Sequence, residues 1–295
     1  EWALAEELPA ERTATSATYL LWGKEWTLTR AYPSPVHYLD SEGLWQAIET
    51  ELRPSGPEHH RWQAMAHETP LRLPDVLGQG AVEIDLFAFS GALEVASSPR
   101  LIGGADQGDF DATPIVVNGA RAEWTKEGGL GHAIEVTGFG FVQVVAREDG
   151  APFEAARFEQ DIRLPPGLEA TLTEGGVVLK DDAGQVQGRI VGRALSHVAD
   201  ASETLTWTLK QSAAQTTLSA QVASRSLRDQ LTAISVRWQL GERGSKIRFG
   251  GVAVGKEGQS ATCLGGADEA GEQGLWVELD WSGVMQGSGA LRAWL

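Results

Sequence analysis

A chain of 295 residues with 42% hydrophobic content is long enough for one large or two to three ordinary domains and rich enough to bury a core, which excludes wholesale disorder. Its 40 acidic and 24 basic residues leave a formal charge of −16, which repels phosphate backbones and anionic lipid and argues against nucleic acid and membrane surfaces as partners. One cysteine, Cys263, excludes an intrachain disulfide, and no apolar run approaches the roughly 20 residues that cross a bilayer.

The chain begins Glu1-Trp2-Ala3 without methionine, as expected of a mature secreted protein whose signal segment has been removed. Residues 1–8 (EWALAEEL) and 42–52 (EGLWQAIETEL) carry helix-like spacing, and the second follows an apolar run that favours a strand instead. Elsewhere period-two alternation, the mark of half-buried strands, runs through 17–32, 82–89, 114–124, 132–146, 170–182 and 217–224. It is clearest in 204–210, with Leu205, Trp207 and Leu209 inward, and in 233–240, with Ile234, Val236, Trp238 and Leu240 inward. In 275–281 the inward set is Leu275, Val277, Leu279 and Trp281. Short alternating segments between Gly and Pro breaks predict an all-β chain of two or three antiparallel β-sandwich lobes with very little helix. The Gly- and Asp-rich 102–113 and the polar 241–246 divide it into an N-terminal lobe, 1–112, a middle sandwich, 113–240, and a C-terminal segment, 241–295, that reads as an incomplete sandwich.

Two turns share one chemistry. Asp40-Ser41-Glu42-Gly43 and Asp181-Asp182-Ala183-Gly184 each follow an apolar run and precede another. Asp opens a turn by bonding the backbone two residues on, and Gly takes the left-handed conformation that closes a bulged hairpin, so both predict hairpins. Glu148-Asp149-Gly150 is a third, weaker instance.

Catalytic signatures are scarce. There is no Gly-x-Ser-x-Gly elbow, and Cys263, in 261–266 (ATCLGG), has no histidine near it and reads as a small buried apolar residue. His37, His59, His60, His67, His132 and His197 form neither an H-x-x-x-H nor an H-E-x-x-H pair, so zinc has no local signature. Asp106, Asp109 and Asp111 bring three carboxylates into one loop, the oxygen-rich chemistry that calcium takes, although a solvated acidic turn is the plainer alternative and no EF-hand pattern is present. A carboxylate pair for glycoside hydrolysis meets in space rather than in sequence, and none is singled out.

Of the eleven tryptophans, Trp207, Trp238 and Trp281 lie on apolar phases and read as core. Trp276 shares a face with Glu278 and Asp280, which exposes it, and Trp294 stands in the terminal strand-like run. Exposed rings serve as anchors at interfaces or stack on sugars.

The segments 35–52 (PVHYLDSEGLWQAIETEL) and 69–77 (TPLRLPDVL) resemble an N-terminal module of bacterial wall-associated and RHS-type secreted proteins, and 158–192 and 205–229 resemble its continuation. The Pro-Val-Val-Asp-type strand that follows in that family is replaced here by 231–240, without the Pro or Asp. Residues 274–295 resemble the outline of part of a DNRLRE-type β-sandwich domain without its name motif. The resemblance implies a non-catalytic, β-rich, extracellular component of the bacterial surface. On that basis the expected function is a structural protein that assembles with copies of itself by strand addition, as a filament or surface layer. The expected partner-binding residues are Tyr19, Leu21, Trp276, Leu291 and Trp294. The alternatives are a module that binds or processes cell-wall glycan through exposed tryptophans and carboxylates, and the shell or adaptor of an RHS-type secreted toxin. No cofactor is expected beyond calcium at the three aspartates.

Overall fold

The computed structural model describes residues 6–14, 16–21, 26–31, 36–40, 42–55, 62–76, 78, 80–86, 89–103, 108–109, 115–125, 130–147, 151–196, 202–212, 215–241, 253–255, 264–267, 273–280 and 290–294. Strands make up 62% of them and helix 4%, so the chain is all-β, as the alternation predicts. It forms two compact units, residues 1–48 with 246–295, and residues 49–245.

In the first unit β1 (Glu6–Glu7), β2 (Ser16–Leu21) and β3 (Trp26–Ala31) form an antiparallel sheet, and β4 (His37–Leu39) pairs with β5 (Trp45–Ala47) as a hairpin. The helix-like spacing of 42–52 therefore yields a strand. A bidentate pair between Arg12 and Glu7, at 2.6 and 3.0 Å, together with a bond from Arg12 to the Trp45 carbonyl at 3.1 Å, ties β1 to that hairpin.

The second unit continues with β6 (Arg53–Pro54), β7 (Trp62–Ala64), β8 (Leu71–Leu73), β9 (Ala81–Asp85), β10 (Ala92–Ala96), β11 (Arg100–Ile102) and β12 (Gly108–Asp109). Next come β13 (Val116–Asn118), β14 (Arg121–Thr125), β15 (Leu130–Thr137), β16 (Gly140–Arg147), β17 (Arg157–Arg163), β18 (Leu168–Thr173) and β19 (Gly176–Asp181). The unit ends with β20 (Val186–Leu195), β21 (Ser202–Thr204), β22 (Thr206–Gln211), β23 (Thr216–Gln221), one turn of helix α1 (Arg225–Arg228) and β24 (Ala233–Leu240). In the first unit again, β25 (Ala253–Gly255) extends the β1–β3 sheet beside β3, and β26 (Leu264–Ala267), β27 (Gln273–Asp280) and β28 (Ala290–Trp294) make a separate sheet.

Two large antiparallel sheets build the second unit. In sheet I, β22, β23 and β17 are followed by β10 and β11 side by side along β17, then β9 and β12, β8, β7 and β6. Sheet II runs β13, β14, β15, β16, β24 and β20, then β19 and β21 along β20, and β18. The division expected near residue 112 runs through this unit, because β17 pairs with β10 and β11 from the other side of it.

Most strands send alternate residues inward, whereas β19 buries Gly176 to Leu179 in succession. Leu71, Leu73, Val82, Ile84, Leu93, Val95 and Phe158 of sheet I meet Trp124, Ile134, Phe141, Val145, Ile190, Val236 and Trp238 of sheet II in one core. Trp207 and Trp238 are buried, as their apolar phases require. A polar thread crosses this core. Trp238 Nε1 donates to Gln143 Oε1 at 2.7 Å, Gln143 Nε2 donates to Gln160 Oε1 at 3.3 Å, and Gln160 Nε2 donates to the Ala96 carbonyl. It joins β24 and β16 of sheet II to β17 and β10 of sheet I, and buried amides hold such positions only when paired.

Four alternating runs of the sequence are hairpins rather than single strands. Residues 17–32 hold β2 and β3, 114–124 hold β13 and β14, 132–146 hold β15 and β16, and 170–182 hold β18 and β19. Two-residue turns at 119–120, 138–139 and 174–175 reverse the last three. At the last two, Gly140 and Gly176 begin the return strand with no room for a Cβ, which would fall on the carbonyl oxygens of Trp238 and Ile190. Farther along, the chain changes sheets in one residue: β21 pairs in sheet II, β22 pairs in sheet I, and Leu205 between them donates its N–H to the Gly192 carbonyl at 3.0 Å.

Candidate functional site: strand edges and surface charge

In the first unit, β2 has β1 along one side and β3 along the other, with Tyr19 opposite both Glu7 and Leu28. The strand carrying Tyr19 and Leu21 is therefore not an edge, because β1 already occupies the position a donated strand would take. At the other end of the chain, β27 lies between β26 and β28, and β28 is paired on one side only among the described residues. Trp276 stands directly opposite Trp294 and Leu279 opposite Leu291, so three of the five expected partner-binding residues share the β27–β28 ribbon.

The edges of the second unit differ in length. At one side β6 has two residues, one of them Pro54, which has no N–H to offer, and β13 has three. Backbone bonds from Leu52 to Gly119 at 2.9 Å and from Ile115 to Asp75 at 3.0 Å draw the two sheets together there. The opposite side ends in β22 and β18, six residues each, where Gln211 Nε2 reaches the Ala170 carbonyl across the seam at 3.4 Å and Leu172 is left 44% exposed.

Charges on the outer face of sheet I form a cross-strand lattice. Across strands, Arg72 pairs with Asp85 at 2.8 Å and Arg163 with Glu94 at 3.1 Å, and along β17 Arg157 pairs with Glu159 at 3.0 Å. Arg100 holds Asp161 at 2.9 and 3.2 Å, and Thr217 donates to the same carboxylate at 2.6 Å. Partial burial alone would raise the Asp161 pKa, but these donors outweigh it and bring it below the usual carboxylate range. The outer face of sheet II is different: Arg189 and Arg193 on β20 and Arg237 on β24 are exposed, and none bonds a carboxylate among the described residues. Sequence reading missed these three, although each falls on the outward phase of its strand, in GRIVGRAL and SVRWQL.

Both predicted Asp-Gly hairpins are present with one bonding pattern. Asp40 accepts from the N–H groups of Glu42 at 3.0 Å and Leu44 at 2.9 Å and from Gln46 Nε2 at 2.7 Å, and Asp181 accepts from Gln185 N–H at 2.8 Å and Gln187 Nε2 at 2.9 Å. Gly43 and Gly184 take φ of 78° and 75°. The Gln46 side chain, foremost among its donors, lowers the Asp40 pKa, and the Gln185 N–H does the same for Asp181. These turns are scaffold. The Asp in each is occupied by its own hairpin.

Three histidines are described, and each is buried apart from the others. His37 donates from Nδ1 to the Thr13 carbonyl at 2.9 Å. His67 accepts at Nδ1 from the Thr69 N–H at 3.0 Å, so Nε2 carries the proton that is donated to the Thr137 carbonyl at 2.6 Å. His132 stacks on Trp124 with ring centroids 5.5 Å apart. Burial lowers the pKa of His67 and takes that of His132 to about 3. Among the described residues no group of three or more His, Cys, Asp or Glu side chains could hold a metal ion. Asp109 lies in β12 opposite Arg100, while Asp106, Asp111, Cys263, His59, His60, His197, Trp281 and the Glu148–Gly150 turn lie outside the described residues. Among those described, no helix is long and apolar enough to cross a membrane.

Comparisons with protein-family models, with curated proteins and with solved structures find no match to this chain.

Proposed function

We propose that the chain is a non-enzymatic structural protein of the bacterial exterior that joins copies of itself by adding a strand at the edge of β28. The observation that carries this reading is the one-sided pairing of β28 among the described residues. The free side of such a strand presents a row of backbone N–H and C=O groups, and a second chain satisfies them without any new side-chain chemistry. The register places Leu291 and Trp294 on β28, with Trp276 opposite Trp294. Placement outside a bacterial cell rests on the resemblance of residues 35–52 and 158–192 to wall-associated and RHS-type secreted proteins.

A proline walk tests it. Prolines placed singly at Leu291, Arg292 and Ala293 remove N–H groups that point alternately toward β27 and toward the open side. Light scattering of the intact chain and of each variant should show association lost, with unfolding unchanged, wherever the open side is struck. An intact chain that stays monomeric at high concentration would refute strand addition.

A further inference from the structure

We propose that Arg189, Arg193 and Arg237, on the outer face of sheet II, receive the acidic β18–β19 hairpin of a second copy through its residues Glu169, Glu174 and Asp182. This rests on the self-assembly reading and supplies a second, electrostatic contact in addition to strand addition at β28.

The register sets the geometry. Arg237 lies directly opposite Val191, so Arg189 and Arg193, two residues to either side, are its diagonal neighbours. Diagonal neighbours on one face stand about 7–8 Å apart, within reach of one carboxylate-bearing rim. The floor beneath is partly apolar: Val142, Val144 and Val191 lie on the same outward phase and are half-buried, and the Arg237 guanidinium sits 5.6 Å from the centre of the Phe139 ring. Such a floor holds guanidinium groups flat and partly dry, which favours bidentate capture of carboxylates.

Charge accounting selects the partner. Arg72, Arg100, Arg121, Arg157 and Arg163 all engage carboxylates of their own sheets, whereas the three arginines on β20 and β24 do not, among the described residues. In a chain of net charge −16 this is a local concentration of uncompensated cations. Uncompensated anions are present on the same molecule. Glu169 on β18, Glu174 in the turn and Asp182 after β19 are exposed, and none bonds a cation among the described residues. A second copy thus brings the complementary charge at equal concentration. The hairpin lies in the same sheet as the arginines, and Glu169, directly opposite Lys180, shares their outer face, so two copies set face to face exchange these contacts reciprocally.

A charge swap in the full-length chain tests this. One variant carries Arg189→Glu, Arg193→Glu and Arg237→Glu, a second carries Glu169→Arg, Glu174→Arg and Asp182→Arg, and a third carries all six. Light scattering is read at about 0.01 M and about 1 M salt, where charges are respectively unscreened and screened, with unfolding curves to confirm that each variant folds. The expected result is association of the native chain that weakens at least tenfold at high salt, loses its salt-sensitive part in each triple variant and regains it in the sixfold variant. Association of the arginine variant equal to that of the native chain, or no recovery in the sixfold variant, would overturn the proposal. So would arginine-dependent binding of dextran sulfate without association of copies, which would assign the patch to a polyanion. Strand addition fails separately: the β28 proline variants then associate as the native chain does at high salt.

Discussion

Gln143 and Gln160 are amides in the middle of an apolar sandwich, each occupied at both ends by the thread from Trp238 to the Ala96 carbonyl. Shortening Gln143 to Ala strands the indole N–H and half of Gln160, and leaving buried polar groups unpaired costs about 1–3 kcal/mol each. Gln143→Ala should therefore lower the urea midpoint well beyond the loss expected from its aliphatic atoms, and a loss no larger than that would contradict a paired thread. The buried histidines give a second check. The folded pKa values of His67 and His132 lie below the unfolded value of about 6.5. Protons therefore bind the unfolded chain first, and stability is complete above about pH 6.5 and falls as pH drops, for His132 down to about 3. Each contributes a slope of up to about 1.4 kcal/mol per pH unit. Denaturation measured at stepped pH should show His132→Phe losing one such slope, whatever its absolute stability. Asp40 and Asp181 work oppositely. Their lowered pKa values mean that the turn bonds stabilise above the unfolded carboxylate pKa of about 3.9 and fade as pH falls through the folded one, so Asp181→Ala should differ from the native chain at neutral pH and converge on it in acid.

Among the elements, the hairpin glycines separate necessity from habit. A Cβ at Gly176 would overlap the Ile190 carbonyl, while one at Gly175, its neighbour in the turn, meets nothing within 4 Å. Gly176→Ala should cost more than about 1 kcal/mol by thermal or urea unfolding and Gly175→Ala should be near neutral; equal effects would mean that the close approach is relieved elsewhere. The same contrast bears on what the sequence discloses. Alternation identified the inward faces of 204–210 and 233–240, and the Asp-x-x-Gly turns named two hairpins correctly. It did not separate the two strands of 132–146, because Gly138-Phe139 turns without interrupting the apolar count. Nor did it find β17, whose inward residues Phe158, Gln160 and Ile162 include an amide that only its partner Gln143 makes tolerable. In β20 the inward Gly188 and Gly192 weaken the pattern, and the reason for Gly192 lies thirteen or more residues away, where a Cβ would come within 2.9 Å of both Leu205 and Trp207. These are long-range facts. The free arginines of β20 and β24 were equally invisible, since whether a charge is paired depends on strand neighbours that a linear pattern does not name.

At the scale of the whole molecule, two features stand out among the described residues: strands that end in one-sided pairing, and arginines that are paired across sheet I but left without a carboxylate at Arg189, Arg193 and Arg237 of sheet II. Short, proline-bearing β6 and three-residue β13 protect one side of the second unit, whereas β18 and β22 leave longer edges. On the proposed reading, copies meet edge to edge at β28 and basic face to acidic hairpin at sheet II, two different contacts that together extend an assembly. Electron microscopy of the intact chain in negative stain at low salt shows whether they do: repeating filaments or rows are expected, and discrete monomer-sized particles at every concentration would contradict assembly.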